Sequence, residues 1–123
     1  MSTETTNKTT AQVANRLVEL CREGKILDAE QELFADNITC IEPAHGGPVV
    51  TGKAAVTEKS KQFDAMMEEV HGGHISDPVV CGNWFSIGWM LDATMKGRGR
   101  QKLEEICVYK VENGQIVLQQ FFY

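Results

Sequence analysis

Residues 84–95 have the sequence WFSIGWMLDATM, in which side-chain character alternates with a period of two residues. One set is apolar throughout: Phe85, Ile87, Trp89, Leu91, Ala93 and Met95. The other set, which includes Trp84, Met90 and Asp92, is mixed. Since successive side chains of a strand point to opposite faces, the pattern predicts a long strand, Trp84–Met95, whose apolar face packs inward.

Other elements extend from this strand in both directions. Turn residues and alternation predict strands at Asn37–Glu42, His74–Cys81, Leu103–Val111 and Gln115–Tyr123. Helical spacing of apolar residues predicts helices from Thr10 to Gly24, from Ile26 to Phe34 and from Gly52 to Glu69. In the third helix Val56, Phe63, Met67 and Val70 share one side. Helices followed by long antiparallel strands indicate an α+β fold.

The composition limits the classes of function. A chain of 123 residues with 42% hydrophobic residues is one globular domain, which we expect at 10–123 after a disordered tail at 1–9. The net charge of −5 argues against nucleic acid as a partner. Membrane spans and a secretory signal are not expected, because no apolar run is long enough. The four cysteines lack a C-x-x-C spacing, which predicts reduced thiols in the cytoplasm and no metal site.

Four segments carry a resemblance to a known family: GKILDA at 24–29, LFADNITCIEP at 33–43, TGKAAV at 51–56 and VYKVENGQIV at 108–117. In this order and spacing they resemble the nuclear transport factor 2-like superfamily, in particular its SnoaL-like and ketosteroid-isomerase-like branch. The resemblance covers about 10–123. It implies a cone in which a strongly curved, mostly antiparallel sheet wraps around three N-terminal helices. A pocket would open between them. The fold hosts isomerases, cyclases, dehydratases, binding domains and adaptors.

Glu42 is the principal catalytic candidate. On its strand it shares a face with Ile38 and Cys40, so we expect its carboxyl to point inward. A carboxylate beside apolar neighbours is suited to removing a proton next to a carbonyl group. The resemblance implies the same role, since the isomerases have a carboxylate base immediately before a proline, as in Glu42-Pro43. The alternative is a solvated carboxylate at the end of a strand.

The oxyanion donors of the isomerases do not carry over by resemblance. Their tyrosine on the first helix corresponds to Leu17, and their aspartate on the penultimate strand corresponds to Cys107. Leucine has no donor and a thiol is a weak one. Because an oxyanion hole contributes a few kcal/mol, roughly 2.7–4 per donor, steroid-type isomerisation is disfavoured.

Further residues are expected around a small apolar or aromatic ligand. Phe63, Trp89, Leu91 and Tyr109 would hold its apolar body, His45 would lie at the rim, and His74 is placed inward as a second catalytic candidate by the resemblance. The last hairpin leaves two registers open. With a three-residue loop at 112–114 and a bulge, Cys107 pairs with Gln119, and the inward side chains are Cys107, Tyr109, Gln119, Phe121 and Tyr123. With a two-residue loop, Gln120 faces inward instead; the resemblance favours the first register.

Three functions are compatible with these residues. The first is an enzyme without metal or organic cofactor, namely an isomerase, cyclase or dehydratase. The second is a non-catalytic module for ligand binding or dimerisation, and the third is an adaptor for another protein. Trp84 and Met90 on the mixed face of their strand predict a homodimer that forms through the outer face of the sheet.

Overall fold

The computed structural model describes residues 8–42 and 49–123, and within these ranges it contains three helices and seven strands. The helices are α1 (Thr10–Arg22), α2 (Ile26–Leu33) and α3 (Lys53–Met66). The strands are β1 (Phe34–Ile41), β2 (Val50–Thr51), β3 (Met67–Ile75), β4 (Val79–Cys81), β5 (Trp84–Met95), β6 (Gly99–Glu112) and β7 (Gln115–Phe122).

All seven strands form one sheet in the order β2-β1-β7-β6-β5-β3, and β4 also pairs with β5. Only the pair of β1 and β7 is parallel, and the others are antiparallel. The sheet is curved and open, and the helices precede most of its strands. The predicted α+β class is confirmed.

The core joins α1 to the inner face of the sheet. A capping box at Thr9 and Gln12 begins α1 and satisfies otherwise free backbone groups. One face of that helix is buried against Phe85 and Tyr109, whose rings stack with centroids 4.8 Å apart. Thr9 is thus part of the helix cap, and Nζ of Lys8 donates to Glu32 at 3.1 Å. Both residues contact the domain, although the predicted tail includes them.

The third helix is shorter than predicted. It ends at Met66, and from Met67 the chain pairs with β5, where Met67 lies opposite Met95. Backbone pairing with β5 therefore determines the conformation from Met67 onward, although apolar residues continue at helical spacing as far as Val70. Of the predicted apolar side only Val56 is fully buried, while Phe63 and Val70 are exposed.

The predicted strand His74–Cys81 is two strands. The chain leaves β3 after Ile75 and rejoins the sheet at Val79, so that residues 76–78 form a break. At this break Ser76 bonds through its backbone N–H to the carbonyl of Gly88 at 2.9 Å. Pro78 has no N–H to offer to a ladder, which favours an interruption of the strand.

The β6–β7 hairpin combines features of both predicted registers. Its loop is the two-residue turn Asn113-Gly114, and both residues have positive φ, 52° and 75°. A bulge follows on β7, because Val111 pairs with Ile116 whereas Lys110 pairs with Leu118.

Because the bulge adds one residue to β7, the side chains of Gln119 and Phe121 lie on the inward face. Gln119 lies opposite Tyr109 and is buried, and Phe121 lies opposite Cys107. The predicted pair of Cys107 with Gln119 is wrong by two residues, which leaves the face of Gln119 unchanged. Gln120 pairs with Val108 on the outer face.

Candidate functional site

The inner face of the sheet is buried near the β6–β7 hairpin, half-buried further along, and buried again at Ala93 and Met95. Near the hairpin, the inward side chains Phe85, Ile87, Cys107 and Tyr109 are buried, whereas further along the same two strands those of Trp89, Leu91, Leu103 and Glu105 are only half-buried. We call these last four residues the open end of the inner face. Phe63 on α3, another predicted ligand contact, is 43% exposed. Apolar surface therefore remains accessible at the open end.

Glu42 follows β1 directly and continues its alternation. Ile38 and Cys40, two and four residues earlier, are both buried inward. The Glu42 side chain is 26% exposed, and its Oε1 lies 2.6 Å from Nζ of Lys59. The hydroxyl of Tyr123 donates to its Oε2 at 3.3 Å. The carboxylate is thus fixed by two partners and retains access to solvent.

Lys59 reaches this carboxylate from α3. It lies one helical turn before Phe63, and its side chain is 37% exposed. In the sequence, Lys59 lies between Glu58 and Lys61, a charged pattern that is typical of the solvated face of a helix. Its position depends on where α3 lies relative to β1, and no local pattern encodes that distance.

Glu105 on β6 is a second carboxyl group in the same region. It pairs across the ladder with Trp89, and Sγ of Cys107 donates to its Oε1 at 3.5 Å. Burial raises the pKa of Glu105, the Cys107 hydrogen bond opposes that rise, the charge of Glu42 adds to it, and the charge of Lys59 opposes it. Glu105 is not among the predicted site residues, although alternation with Cys107 and Tyr109 indicates that it faces inward.

Glu30 on α2 is a third carboxyl group, and it is the fully buried one of the three. Only 4% of the residue is exposed, and Ser60 Oγ donates to its Oε2 at 2.5 Å. Within the described residues its Oε1 and Oγ1 of Thr57 are buried without a hydrogen-bond partner. Burial raises the pKa of Glu30, and the Ser60 hydrogen bond opposes part of that rise. Spacing from Ile26 and Leu33 on the apolar side of α2 would have identified it.

Three of the other predicted ligand contacts are buried: Gln119, Cys107 and Tyr109. Gln119 is buried, and its Nε2 donates to Sγ of Cys40 at 3.7 Å. Tyr109 is stacked on Phe85 in the core, and burial raises the pKa values of both Tyr109 and Cys107. Tyr123 and the open end, which contains Trp89 and Leu91, are the predicted contacts that remain accessible.

The expectation that His74 faces inward is wrong. Its neighbour Ile75 is buried and lies opposite Trp89, so His74, opposite Met90, points to the outer face. There it lines a shallow groove of ≈ 430 Å³ together with Ser76, Gly88, Met90, Ile106 and Phe122. Alternation does not indicate which face His74 occupies, because the preceding Gly72 and Gly73 have no side chains. His45 lies outside the described residues.

The described part of the chain contains neither a metal-binding cluster nor a membrane-spanning helix. In residues 8–42 and 49–123, no three or more His, Cys, Asp and Glu side chains are grouped so that they could bind a metal ion. Among the same residues, none of the helices has the length and apolar character needed to span a bilayer.

The curved sheet, the preceding helices and the accessible carboxylates together define a small α+β domain of the nuclear transport factor 2-like type. More specifically, the chain belongs to the SnoaL-like domain family, whose profile matches residues 8–123. A protein from Mesorhizobium loti, named as a candidate SnoaL-like polyketide cyclase, is 35% identical, with a TM-score of 0.88 over 94% of this chain and 100% of that chain.

More distant structures share the fold. A Catenulispora acidiphila protein with a ketosteroid isomerase-like fold, solved in complex with trimethylamine, is 22% identical, with a TM-score of 0.73 over 94% of this chain and 87% of that chain. A Xanthomonas campestris protein of unknown function with a cystatin-like fold is 15% identical, with a TM-score of 0.78 over 94% and 90% of the two chains. No curated protein matches the sequence.

Proposed function

We propose that the protein is an enzyme of the isomerase, cyclase or dehydratase type, acting on a small apolar or aromatic carbonyl compound with Glu42 as the base. One observation carries the proposal: the Glu42 carboxylate keeps 26% of its side chain exposed while it contacts Lys59 at 2.6 Å and Tyr123 at 3.3 Å. A fixed and accessible carboxylate is what removal of a proton next to a carbonyl group requires.

The open end supplies the complementary surface for such a substrate. Trp89, Leu91 and Leu103 present apolar area that the described residues leave half-covered, and Phe63 adds an aromatic ring. Burial of these groups against a ligand would contribute about 25 cal/mol per Å² of apolar area removed from water. Polar groups in this region are few, so the substrate would be held mainly by its apolar body.

The proposed step is tested by hydrogen exchange into an aromatic ketone. In D₂O, the protein should catalyse deuterium incorporation at the carbon next to the carbonyl of 2-tetralone, followed by NMR. The variant Glu42→Gln should lose this catalysis by about 100-fold or more while it still binds 2-tetralone. Glu58→Gln, which alters an exposed carboxyl of α3, is the matched control. Equal exchange rates in both variants would remove Glu42 from the mechanism.

A non-catalytic ligand-binding module is the second candidate. It is favoured by the two positions that correspond to the oxyanion donors of the isomerases, because Leu17 and Cys107 are both buried in the core and neither is a strong donor. Stabilisation of the fold by 2-tetralone in a thermal shift assay, without exchange above the buffer rate, would favour this candidate.

A further inference from the structure

A base alone leaves the carbonyl oxygen of the substrate without a partner. When a proton leaves the neighbouring carbon, negative charge develops on that oxygen, and stabilising it is often the largest single contribution to catalysis. Leu17 and Cys107 do not supply this, since their side chains are 3% and 0% exposed in the core. A group elsewhere in the site must therefore provide the stabilisation.

The ammonium group of Lys59 has the required charge and position. Its Nζ lies 2.6 Å from Oε1 of Glu42, and the side chain is 37% exposed, so a ligand at the open end can reach it. Burial raises the pKa values of both Glu105 and Cys40, and the positive charge of Lys59 opposes both rises. Groups on β1, directly after it and on β6 are thus all influenced by the same ammonium on α3.

We propose that Lys59 exchanges partners during the reaction, passing from the carboxylate of Glu42 to the oxyanion of the substrate. This inference rests on the proposed role of Glu42 as base. The C–H bond next to the carbonyl breaks, its proton goes to Glu42, and its electron pair forms the C=C bond of an enolate. The C=O π electrons move to the oxygen, which carries the negative charge that Glu42 has lost.

The exchange conserves charge around Lys59. Before proton transfer the ammonium is paired with a carboxylate, and afterwards Glu42 is a neutral acid and the enolate oxygen is the only new anion. Lys59 therefore has one anionic partner in each state, so no unpaired charge is created in a partly desolvated site. Glu105 is a weaker competitor for Lys59, because burial raises its pKa and so disfavours its charged form.

The same geometry restricts the substrate class. The acidic C–H must approach Glu42 while the carbonyl oxygen approaches Lys59, and these two groups are in contact with each other. Ketones, and other carbonyl compounds with an acidic hydrogen on the adjacent carbon, place the two atoms close enough together. Acids or alcohols without such a carbon would not use both groups.

The test uses 4-nitrophenol, whose anion is a stable analogue of an enolate and differs in colour from the neutral form. Glu42→Gln imitates the protonated base, so this variant should bind the probe as its anion at a pH about one unit below its pKa in water. Adding Lys59→Met should weaken binding by roughly tenfold and return the bound probe to its neutral form. Adding Lys59→Arg should preserve the bound anion.

Lys61→Met in the same Glu42→Gln background is the matched control, because Lys61 is an exposed lysine of α3. The inference is overturned if the Lys59→Met and Lys61→Met double variants bind the anion equally. Hydrogen exchange into 2-tetralone distinguishes a failure of the proposed base, Glu42, from a failure of the proposed partner exchange of Lys59. If exchange depends on Glu42 but anion binding does not depend on Lys59, the base stands and the partner exchange falls. If neither dependence is found, both fall.

Discussion

At the scale of single residues, Glu30 has the strongest conflict with its surroundings. Only 4% of the residue is exposed, and Oε1 has no hydrogen-bond partner among the described residues. Because burial raises its pKa, the folded state binds more protons than the unfolded state. The stability that Glu30 contributes is therefore complete below its unfolded pKa and is lost as the pH rises through its folded pKa.

Glu30→Gln should raise the free energy of unfolding at pH 7.5 by on the order of 1 kcal/mol. The amide oxygen can still accept from Ser60, and the charge is gone. The gain should shrink when the pH is lowered from 7.5 to 5, because the raised pKa lets Glu30 itself take up a proton more readily than an exposed carboxyl. Urea unfolding at both pH values measures this difference.

The comparison must be made between variants at each pH. Glu32, whose pKa is lowered to about 2 by the hydrogen bond from Arg16, acts in the opposite direction and stabilises the fold above that pH. Glu58→Gln serves as the exposed control and should show no pH-dependent gain. A Glu30→Gln protein that is less stable at every pH would mean that the bond of Ser60 to a charged acceptor dominates.

Strand alternation predicted some site residues correctly and others not at all. Period two predicts that Glu42 faces inward, and the resemblance favours the register that turns Gln119 inward. In the structure Glu42 contacts Lys59 and Tyr123, and Gln119 is buried opposite Tyr109. Glu105 and Glu30 obey the same rules and could have been found. Lys59 could not, because its role follows from the distance between α3 and β1, which is a property of packing. The catalytic and binding roles of all these residues stay predictions.

At the scale of elements, Gly73 determines how closely β3 approaches β5. A Cβ added at this position would lie 2.8 Å from the backbone oxygen of Met90, whereas a Cβ at Gly72 would meet nothing within 4 Å. The two glycines share a strand and differ only in this contact. They therefore form a matched pair for measuring the effect of a close backbone approach.

Gly73→Ala should lower the free energy of unfolding by about 1–3 kcal/mol, because a backbone atom cannot move aside without shifting the strand. Gly72→Ala should be neutral or slightly stabilising, since alanine reduces the conformational entropy of the unfolded chain. Urea unfolding of both variants measures the difference. Equal stabilities would show that β3 can shift without loss.

Elements with long alternation were predictable and their junctions were not. The predicted bounds Trp84–Met95 of β5 are confirmed. The end of α3 and the break after Ile75 were missed, because pairing with β5 and the missing N–H of Pro78 decide them. The bulge beside Leu118 was likewise undecided, since a turn sequence constrains the loop and leaves the following register free.

At the scale of the whole molecule, the outer face of the sheet carries exposed apolar side chains. Ile106 and Phe122 are paired neighbours on β6 and β7 and are 54% and 45% exposed. Gly88 lies opposite Ile106 on the other side, where the absence of a side chain contributes to the groove of ≈ 430 Å³. A projecting apolar pair thus lies directly beside a depression.

This arrangement is self-complementary. In a dimer with twofold symmetry the same patch occurs on both copies, so the Ile106–Phe122 pair of one copy can enter the groove of the other. Covering these side chains would remove exposed apolar surface of the kind that marks interaction sites. We therefore predict a homodimer through the outer face, which leaves the inner face and Glu42 accessible in both copies.

Light scattering coupled to size-exclusion chromatography should give a mass twice the 13.7 kDa of the chain. Ile106→Lys should yield a monomer, because two lysines would be buried close together near the twofold axis. Val49→Lys, which changes an apolar residue of similar exposure (58%) beside β2, two strands away from Phe122 in the sheet order, should remain dimeric. A monomeric wild-type protein at tens of micromolar, or equal masses for both variants, would contradict the predicted interface. Because the outer and inner faces are separated by the sheet, Ile106→Lys should also leave Glu42-dependent exchange into 2-tetralone unchanged.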